Sequence, residues 1–333
     1  MKKHENNLIV IHGGIGDVLL WVPTLKDLIV KPDILLINDT PELEILKKNN
    51  LVHEILKVNS KLQWILFSWK NRKKYNNIFL NHLCGGKLIL FFLKKCGDTV
   101  ITNSKNISSR SGNLIIKNPE PNIHDASQNY LLVLGKTPKL NQNHFSLVPS
   151  QSSEKLVKNY FCIHLCAGNA KTPYKNWPVH HWKTFLESLQ IKYPDKDFVF
   201  LGGKGEEIVF NQLNLNPQKF ISLIGKTSLN ELDGILKGAE LFIGPDGGLM
   251  HLAFALGLKS FVIWGASSSV YYSYEQVEKV DYKIVKLNLN CMPCNAWLNP
   301  NKSKASNPLL CPDFKCLNDL KPDFVLSELE KFM

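Results

Sequence analysis

The sequence contains three glycine-bearing loops whose residue types suit the binding of an anion or the movement of a proton. In the clearest of them, a strand-like apolar run is followed by Asp246, Gly247 and Gly248, and then by a helix-like run that carries His251. The free amides and positive dipole end of a helix favour a phosphate, and His251 lies within reach of the same anion. The alternative is structural: Asp246 caps the helix, the glycines relieve a turn and His251 faces a neighbouring helix.

A second loop follows the first apolar run of the chain and contains Gly16 and Asp17. Its glycines let the backbone approach a ligand closely, and Asp17 is a candidate general base or, alternatively, only a helix N-cap. A dinucleotide site with Asp39 as the ribose-binding acid is a competing interpretation. The spacing disfavours it, because counting the Gly-x-Gly-x-x-Gly pattern from Gly14 places Leu19 at the third glycine.

The third loop runs from a strand-like segment to the helix that begins near Pro178. It contains Gly168, Asn169 and Lys175, so that one loop offers both backbone amides and an ammonium group to an anion. A lone loop lysine is usually only solvated, but the position of Lys175 opposite the Asp246 loop favours a functional interpretation.

Four cysteines near the C-terminus form two pairs with spacing typical of a metal site. Cys291 and Cys294 form a Cys-x-x-Cys pair, followed after 16 residues by Cys311 and after four more by Cys316. The set predicts a structural tetrathiolate site for zinc or iron. The alternative is four reduced thiols that pack near the C-terminal helix.

The elements that position these loops follow a repeated strand–helix pattern. Continuous apolar runs at 8–11 and 34–37, with a helical pattern at 17–29 between them, predict a βαβ unit whose strands are covered on both faces. The polar stretch 141–159 is the predicted linker. The pattern then restarts, with strands predicted at 160–165, 198–201, 240–244 and 259–264, and helices at 178–192, 228–238, 247–256 and 322–332.

This organisation predicts an α/β fold of two doubly wound domains, residues 1–150 and 151–333. Ligands of such sheets lie beyond the carboxyl ends of the strands, so we expect the site in the cleft between the domains. A chain of 333 residues is long enough for two domain cores.

Composition limits the partners and the compartment. A 44% hydrophobic and 21% charged chain is not predominantly disordered, collagen-like or a coiled coil. The net charge of +11 implies an anionic partner, but nucleic acid is disfavoured because Arg72 and Arg110 are the only arginines. Without an apolar run of about 18 residues or a signal-peptide pattern, the chain is expected to be cytoplasmic, with reduced cysteines.

The three loops together resemble the ADP-heptose-dependent heptosyltransferases of glycosyltransferase family nine. The family's Gly-Asp-Val-Leu-x-x-x-Pro segment is matched by residues 16–23, and its glycine-to-Lys-x-Trp-Pro segment by residues 168–178. Its Asp-[Thr/Gly]-Gly-x-x-His-Leu-Ala-x-Ala-Leu-Gly segment is matched by residues 246–257. Gly247 stands where the family often has threonine, which implies one hydroxyl contact fewer.

The resemblance implies a GT-B architecture, in which two Rossmann-like domains face each other across a cleft. The N-terminal domain (1–150) would bind the acceptor, and the C-terminal domain (151–333), which includes the four-cysteine segment 291–316 and the terminal helix, would bind the nucleotide sugar. It also implies an inverting transfer that requires no metal or other cofactor. Some family members hold iron on four cysteines, which supports a structural zinc or iron in this chain.

The resemblance also assigns roles to residues. Asp17 would deprotonate the acceptor hydroxyl, Lys175 would bind the donor phosphates and stabilise the leaving diphosphate, and Asp246 would hold sugar hydroxyls. The other substrate-binding residues that it implies are Gly16, Gly168 and Asn169, then Gly202, Gly203 and Glu206 beside the adenosine, and Gly247, Gly248 and His251 beside the phosphates.

The predicted function is therefore transfer of heptose from ADP-heptose to an anionic glycolipid, the inner core of lipopolysaccharide. A protein hydroxyl or another surface glycan remains open as the acceptor. An NAD-dependent oxidoreductase and a non-catalytic binding protein are the alternatives from other classes. The basic and aromatic stretches 64–75 and 88–95 either meet an anionic lipid headgroup at the inner face of the inner membrane or form a solvated surface.

Overall fold

The structure is a computed structural model that describes residues 6–81, 84, 86–104, 113–149, 159–167, 172–278, 280–294, 311 and 313–333. Gly168 and Asn169, which the sequence places in the third loop, lie outside these residues. The chain divides into two compact units, Met1–Val148 and Pro149–Met333. The division falls in the polar stretch that the sequence indicates as a linker.

The first unit is built on six parallel strands in the order β3-β2-β1-β4-β5-β6. The order reverses between β1 and β4, and ligands of doubly wound sheets bind beyond the carboxyl ends of strands at such a switch point. The strands are β1 (Asn7–Ile11), β2 (Asp33–Ile37), β3 (Ile55–Val58), β4 (Tyr75–Leu80), β5 (Gly97–Thr102) and β6 (Leu114–Ile116).

Seven helices accompany this sheet within the described residues: α1 (Ile15–Leu19), α2 (Val22–Asp27), α3 (Glu44–Lys48), α4 (Lys61–Lys70), α5 (Lys87–Cys96), α6 (Asp125–Leu134) and α7 (Gln142–Phe145). The single helix expected at 17–29 is in fact two, α1 and α2. Pro23 explains the break, because a proline inside a helix lacks the amide donor and clashes with the preceding turn, whereas it is tolerated at a helix start.

The central strands of the first unit are covered on both faces. All five residues of β2 and the last four of β1 are buried, which is why their sequences are apolar without alternation. On one side α4 packs against α5, and the Trp64 ring stacks on Phe92 with 5.9 Å between ring centroids. Elsewhere in the unit α6 packs against α2.

The second unit repeats the same arrangement. Its six parallel strands follow the order β12-β11-β10-β7-β8-β9, which is the order of the first unit when it is written from β9. The strands are β7 (Tyr160–His164), β8 (Asp197–Leu201), β9 (Phe220–Ser222), β10 (Leu241–Pro245), β11 (Ser260–Ile263) and β12 (Tyr282–Val285).

The helices described in the second unit include the terminal helix that the sequence predicts. A 3-10 turn (Pro173–Lys175) precedes α8 (Val179–Lys192), α9 (Glu207–Leu213), α10 (Leu229–Gly238), α11 (Gly248–Ala255), α12 (Ser269–Tyr272), α13 (Lys315–Asn318) and α14 (Pro322–Phe332). The last of these, α14, packs on α8, β11 and β12. The Trp177 indole nitrogen donates to the Leu320 carbonyl at 2.8 Å, which ties the start of α8 to the segment before α14.

These observations confirm the predicted fold class of two doubly wound, Rossmann-like α/β units. In the part of the chain that the structure describes, no helix combines the length and apolar character needed to cross a bilayer.

Candidate active site

The carboxyl edge of the second sheet carries a buried ion pair between two of the predicted site residues. Asp246 directly follows β10, and Lys175 ends the 3-10 turn before α8. The Lys175 Nζ lies 2.7 Å from Asp246 Oδ2. Only 3% of the Asp246 side chain is exposed, against 18% for Lys175, so the ammonium group remains the accessible member of the pair.

The surroundings of Asp246 keep it ionised. Burial alone would raise the pKa of this carboxyl, but the charge of Lys175 and hydrogen bonds from Lys175 and Ser267 together hold the pKa below its ordinary value. Ser267, which follows β11, donates its hydroxyl to Asp246. Its backbone carbonyl accepts in turn from the Trp264 indole nitrogen at 2.9 Å, which holds the serine in place.

A glycine-opened helix begins beside this pair. Gly247 is the N-cap of α11 in extended backbone, so the capping role considered for Asp246 is not observed. The first amides of a helix have no partner within the helix, and in α11 they come directly after Asp246 in the chain. A Cβ added at Gly247 would lie 3.1 Å from Ala167 Cβ, so the packing of this chain leaves little room for the threonine that the family often has.

His251 is buried inside the second unit. Its Nδ1 lies 2.6 Å from the Tyr274 hydroxyl, and the Tyr274 ring stacks on Phe254 with 3.6 Å between centroids. Burial lowers the pKa of His251 to about 4, against an opposing effect of the Asp246 charge. The imidazole is therefore neutral near pH 7, and it supports the start of α11 from within the unit.

A second buried polar pair lies at the ends of β7 and β8. His164 Nε2 is 3.3 Å from Glu206 Oε2, and both side chains are buried. The Glu206 carboxylate also accepts from the Gly203 amide at 3.0 Å, and a Cβ at Gly202 would overlap it at 2.5 Å. The loop after β8 thus wraps around the carboxylate, which lies inside the loop.

The second unit contains a cavity of about 330 Å³. It is lined by two segments that follow β11 and β12, residues 267–270 and 286–290, together with Met292 and Pro293. Lys286 donates to the Ser269 hydroxyl at 2.9 Å across it. Ser267 both lines this cavity and donates to Asp246, and it is the lining residue that links the cavity to the ion pair.

The remaining predicted residues, Gly16 and Asp17, belong to the first unit. Asp17 is the third residue of α1, and its Oδ2 accepts from the Gly14 amide at 2.6 Å. Asp17 is therefore not the N-cap residue that the sequence offered as the alternative. The N-cap is Gly14, and Asp17 accepts from its amide from the third position of the helix. Gly13 has φ +138°, and a Cβ there would lie 2.2 Å from Asp17 Oδ2, so the glycine loop is built around a half-buried carboxylate.

The four cysteines lie in one region of the second unit. Cys316 is buried in α13 and Cys291 is exposed. Burial, followed by the nearby thiols of the other three, raises the pKa of Cys316 to about 12. Among the described residues, the ligand atoms that come within 4.8 Å of one another in a set of three belong to Asp33, His53 and Glu54, and not to the cysteines.

Sequence reasoning missed Ser267, His164 and Tyr274. Ser267 follows the carboxyl end of β11 in a run of three serines, a position that the edge rule for parallel sheets could have indicated. His164 is the last residue of β7 and could have been indicated by the same rule. Tyr274 carried no such signal, because its role depends on which side chains folding brings against it.

The two Rossmann-like units, with their carboxylates and glycine loops at strand ends, have the GT-B fold of solved heptosyltransferases. A family model described as glycosyltransferase family 9 (heptosyltransferase) matches residues 126–305. This match covers more than half of the chain, and the chain therefore belongs to glycosyltransferase family 9.

Curated relatives carry names from the same family. Lipooligosaccharide heptosyltransferase 2 of Campylobacter jejuni is 29% identical over 161 residues, which cover 47% of this chain and 46% of that protein. The protein of the same name from Haemophilus ducreyi is 26% identical over 186 residues, which cover 53% of this chain and 49% of that protein. The chain thus spans about half the length of the curated relatives it matches.

Solved structures share the fold over nearly the whole chain. Escherichia coli ADP-heptose LPS heptosyltransferase II has a TM-score of 0.69 at 16% identity, covering 98% of each chain. E. coli heptosyltransferase WaaC with ADP-2-deoxy-2-fluoro heptose has a TM-score of 0.66 at 16% identity, covering 98% of this chain and 100% of that one. The iron-containing dodecameric glycosyltransferase TibC from enterotoxigenic E. coli has a TM-score of 0.58 at 14% identity, covering 100% and 79%.

Proposed function

We propose that this chain is an inverting glycosyltransferase that moves heptose from ADP-heptose to the inner core of a lipopolysaccharide acceptor. The observation that carries the proposal is the Lys175–Asp246 pair at the start of α11, in a chain that belongs to family 9. The names of the curated relatives and the ADP-sugar bound to a structural neighbour support the choice of donor and acceptor.

At the donor end, Lys175 and the first amides of α11 bind the diphosphate. The Lys175 ammonium group is partly exposed and is held by Asp246, so it needs little reorganisation when a phosphate arrives. Gly247 and Gly248 allow the diphosphate to approach the helix start closely. Asp246, ionised and fixed by Ser267, accepts hydrogen bonds from sugar hydroxyls.

At the acceptor end, Asp17 acts as the general base, supported by Gly16 and the glycine loop. Asp17 takes the proton of the acceptor hydroxyl as that oxygen attacks the anomeric carbon. The bond from this carbon to the diphosphate oxygen breaks, and ADP leaves with the electron pair, stabilised by Lys175. One displacement of this kind inverts the configuration and needs no enzyme nucleophile.

On the nucleoside side, Gly202 and Gly203 flank the adenosine. Gly168 and Asn169, which lie outside the described residues, keep the substrate-binding role that the sequence predicts. Glu206 supports the loop of Gly202 and Gly203 from inside, because its carboxylate accepts from the Gly203 amide and lies beside His164. In this proposal Glu206 fixes the conformation of the loop that flanks the adenosine.

The test is a donor screen combined with one substitution. Wild-type protein should turn over ADP-heptose in preference to UDP- and GDP-sugars, and mass spectrometry of the acceptor fraction should show an added heptose. Asp17→Ala should abolish transfer and leave ADP affinity nearly unchanged, because Asp17 belongs to the other unit from Lys175. Preference for a UDP-sugar, or full transfer activity of Asp17→Ala, would overturn the proposal.

We also infer that Cys291, Cys294, Cys311 and Cys316 hold one structural zinc or iron and that catalysis itself uses no metal. The thiolate donor set fits either metal. The four cysteines lie in one region of the second unit, and binding would draw their sulfur atoms together, because among the described residues no three of these atoms lie within 4.8 Å of one another. Elemental analysis should give about one metal per chain, and transfer should survive a short EDTA treatment. A content well below one per chain, or EDTA inactivation that magnesium reverses, would contradict these two inferences respectively.

The acceptor proposed here is a glycolipid, and we therefore place the chain in the cytoplasm, at the inner face of the membrane that carries this lipid. The sequence stretches 64–75 and 88–95 supply the surface for such contact.

A further inference from the structure

The positive charge of the chain is concentrated in one stretch that contains no acidic residue. Between Glu54 and Asp98 the sequence has no Asp or Glu and nine Lys or Arg residues, whereas the whole chain has 40 basic and 29 acidic residues. Outside this stretch the two signs nearly balance. The surplus that gives +11 is thus a property of β3, α4, β4 and α5 and the turns that join them.

The structure places large apolar side chains on the outer side of α4. Leu62, Ile65, Leu66 and Trp69 lie at the spacing of one helical stripe, and all four are exposed, Trp69 to 80%. The opposite stripe, with Trp64 and Phe67, is buried in the core of the unit. This helix therefore presents apolar side chains both to the core and to the outside.

The neighbouring helix α5 extends the same surface. Leu88 and Phe91 are 47% and 54% exposed, whereas Leu90 and Leu93 are buried against the sheet. We call the outward side chains of both helices, Leu62, Ile65, Leu66, Trp69, Leu88 and Phe91, the α4–α5 face.

Basic side chains surround the α4–α5 face. The basic residues described as exposed between Glu54 and Asp98 are Lys57, Lys61, Lys70, Arg72, Lys73, Lys74, Lys87 and Lys95, of which Lys74 is paired with the buried Asp33 at 2.8 Å. The Lys95 ammonium lies 4.1 Å from the centroid of the exposed Phe91 ring. An apolar centre that contains tryptophan, with lysines around it, is the arrangement by which proteins insert side chains at the headgroup level of an anionic bilayer.

The positive charge around the α4–α5 face indicates which partner binds there. A second copy of the chain would bring this acid-free face against its own image in a two-fold interface, and the like charges would repel. Nucleic acid would favour arginine, and Arg72 is the only arginine in the stretch. We propose that the α4–α5 face docks this protein on an anionic lipid bilayer.

The position of the face in the fold relates docking to the proposed reaction. Both α4 and α5 begin shortly after the carboxyl ends of β3 and β4, at the sheet edge where Asp17 follows β1. A bilayer bound there meets Leu62 and Leu88 near the edge that carries Asp17. The inference thus deepens the proposed function, on which it rests for the choice of a lipid-borne acceptor.

The test is flotation of the full-length protein with vesicles. Binding to vesicles that contain phosphatidylglycerol should exceed binding to pure phosphatidylcholine at least about tenfold, and should fall sharply near 1 M salt, where the Debye length is about 3 Å. Trp69→Glu and Leu62→Glu should each weaken binding about tenfold or more, because each removes an inserted side chain and adds a repelled charge.

Ile29→Glu is the matched control, since Ile29 is 98% exposed in the same unit but lies outside the face, and it should bind as wild type does. Equal binding to both vesicle types, or unchanged binding by both face variants, would overturn the proposal. A wild-type dimer in sedimentation that Trp69→Glu converts to monomer would instead assign the face to a second copy.

A separate assay distinguishes failure of this inference from failure of the proposed function. The face variants should transfer heptose at the wild-type rate to the lipid-free glycan of the acceptor and should lose rate only with acceptor held in vesicles. If no variant and no wild-type protein turns over ADP-heptose while vesicle binding persists, the proposed function fails and the docking surface stands.

Discussion

At the scale of single residues, Lys175 compensates the negative charge of the buried Asp246 carboxylate. Removing one member of a buried ion pair leaves an uncompensated charge and costs about 3–5 kcal/mol. Lys175→Met should therefore lower the free energy of unfolding by about that amount, raise the pKa of Asp246 and weaken ADP binding by about tenfold or more. Denaturant unfolding and calorimetric titration with ADP provide the two measurements.

The double variant Lys175→Met/Asp246→Asn separates the two roles of the lysine. With the carboxylate neutralised, stability should return most of the way to wild type, because no buried charge is left without a partner. ADP affinity should stay as low as in Lys175→Met. Recovery of ADP binding in the double variant would show that Lys175 acts on the nucleotide only through Asp246.

A second prediction at this scale concerns His251 and pH. Burial holds its pKa at about 4, below the ordinary value of 6.5. Between these values the unfolded chain binds a proton that the folded chain does not, so the free energy of unfolding should fall as pH decreases from about 6.5 towards 4, by a few kcal/mol at most.

The pH dependence of chemical unfolding measures this effect. In His251→Gln the slope between about pH 6.5 and 4 should become shallower, whereas His180→Gln, at an exposed position in the same unit, should keep the wild-type slope. An identical slope in all three proteins would contradict the assignment to His251.

The sequence identifies the residues of the site better than their contacts. Lys175 and Asp246 stand out because each follows a strand and precedes a helix, and the structure brings them to 2.7 Å. The burial of His251 against Tyr274 could not be predicted, since the two residues are 23 positions apart with the strand β11 between them. Such contacts depend on side-chain packing, which a one-dimensional pattern does not encode.

At the scale of elements, the loop between β1 and α1 requires glycine at position 13. Gly13 adopts φ +138°, which L side chains rarely do, and a Cβ there would overlap the Asp17 carboxylate. Gly86, at the start of α5, has a similar φ of +130° with no heavy atom within 4 Å of the added Cβ. A side chain would strain the backbone at both positions, but only at position 13 would it also clash with Asp17.

Gly86→Ala should consequently lose about 1–3 kcal/mol of stability from backbone strain, and Gly13→Ala should lose more, because only there does the added Cβ overlap Asp17. Only Gly13→Ala should lose transfer activity, by about a hundredfold, because a displacement of the base by about 1 Å has that effect. ADP affinity should be unchanged in both. Equal transfer rates in the two variants would show that the position of Asp17 does not limit the reaction.

The elements themselves were largely predictable. The runs at 34–37 and 198–201 are strands because both of their faces are buried, and a two-sided core leaves a continuous apolar signal. The helix α14 was predicted with its bounds, since Pro322 marks its start. The split of α1 from α2 was missed because the amphipathic pattern continues across the break, and only Pro23 indicates it.

At the scale of the whole molecule, the two units repeat one strand order, and their candidate residues differ in kind. The second unit carries the cation and the helix start of α11, and the first carries the carboxylate of Asp17. The proposed reaction uses two substrates. Its nucleotide diphosphate needs a cation, and its acceptor hydroxyl needs a base that removes a proton. The proposed function thus predicts that each substrate stabilises a different unit.

Hydrogen exchange of the intact chain with ADP tests this prediction. A ligand that binds only the folded state at a hundredfold excess over its Kd stabilises that state by about 2.7 kcal/mol, which slows exchange through unfolding about a hundredfold. Saturating ADP should therefore protect β10, α11 and the segment 172–178, while β1 and β2 exchange as in the free protein. At the same ADP concentration, Lys175→Met should show about tenfold less protection, and an acceptor glycan added without ADP should protect α1 instead. Protection of β1 and α1 by ADP alone would place the nucleotide on the first unit and would reverse the assignment of donor and acceptor domains.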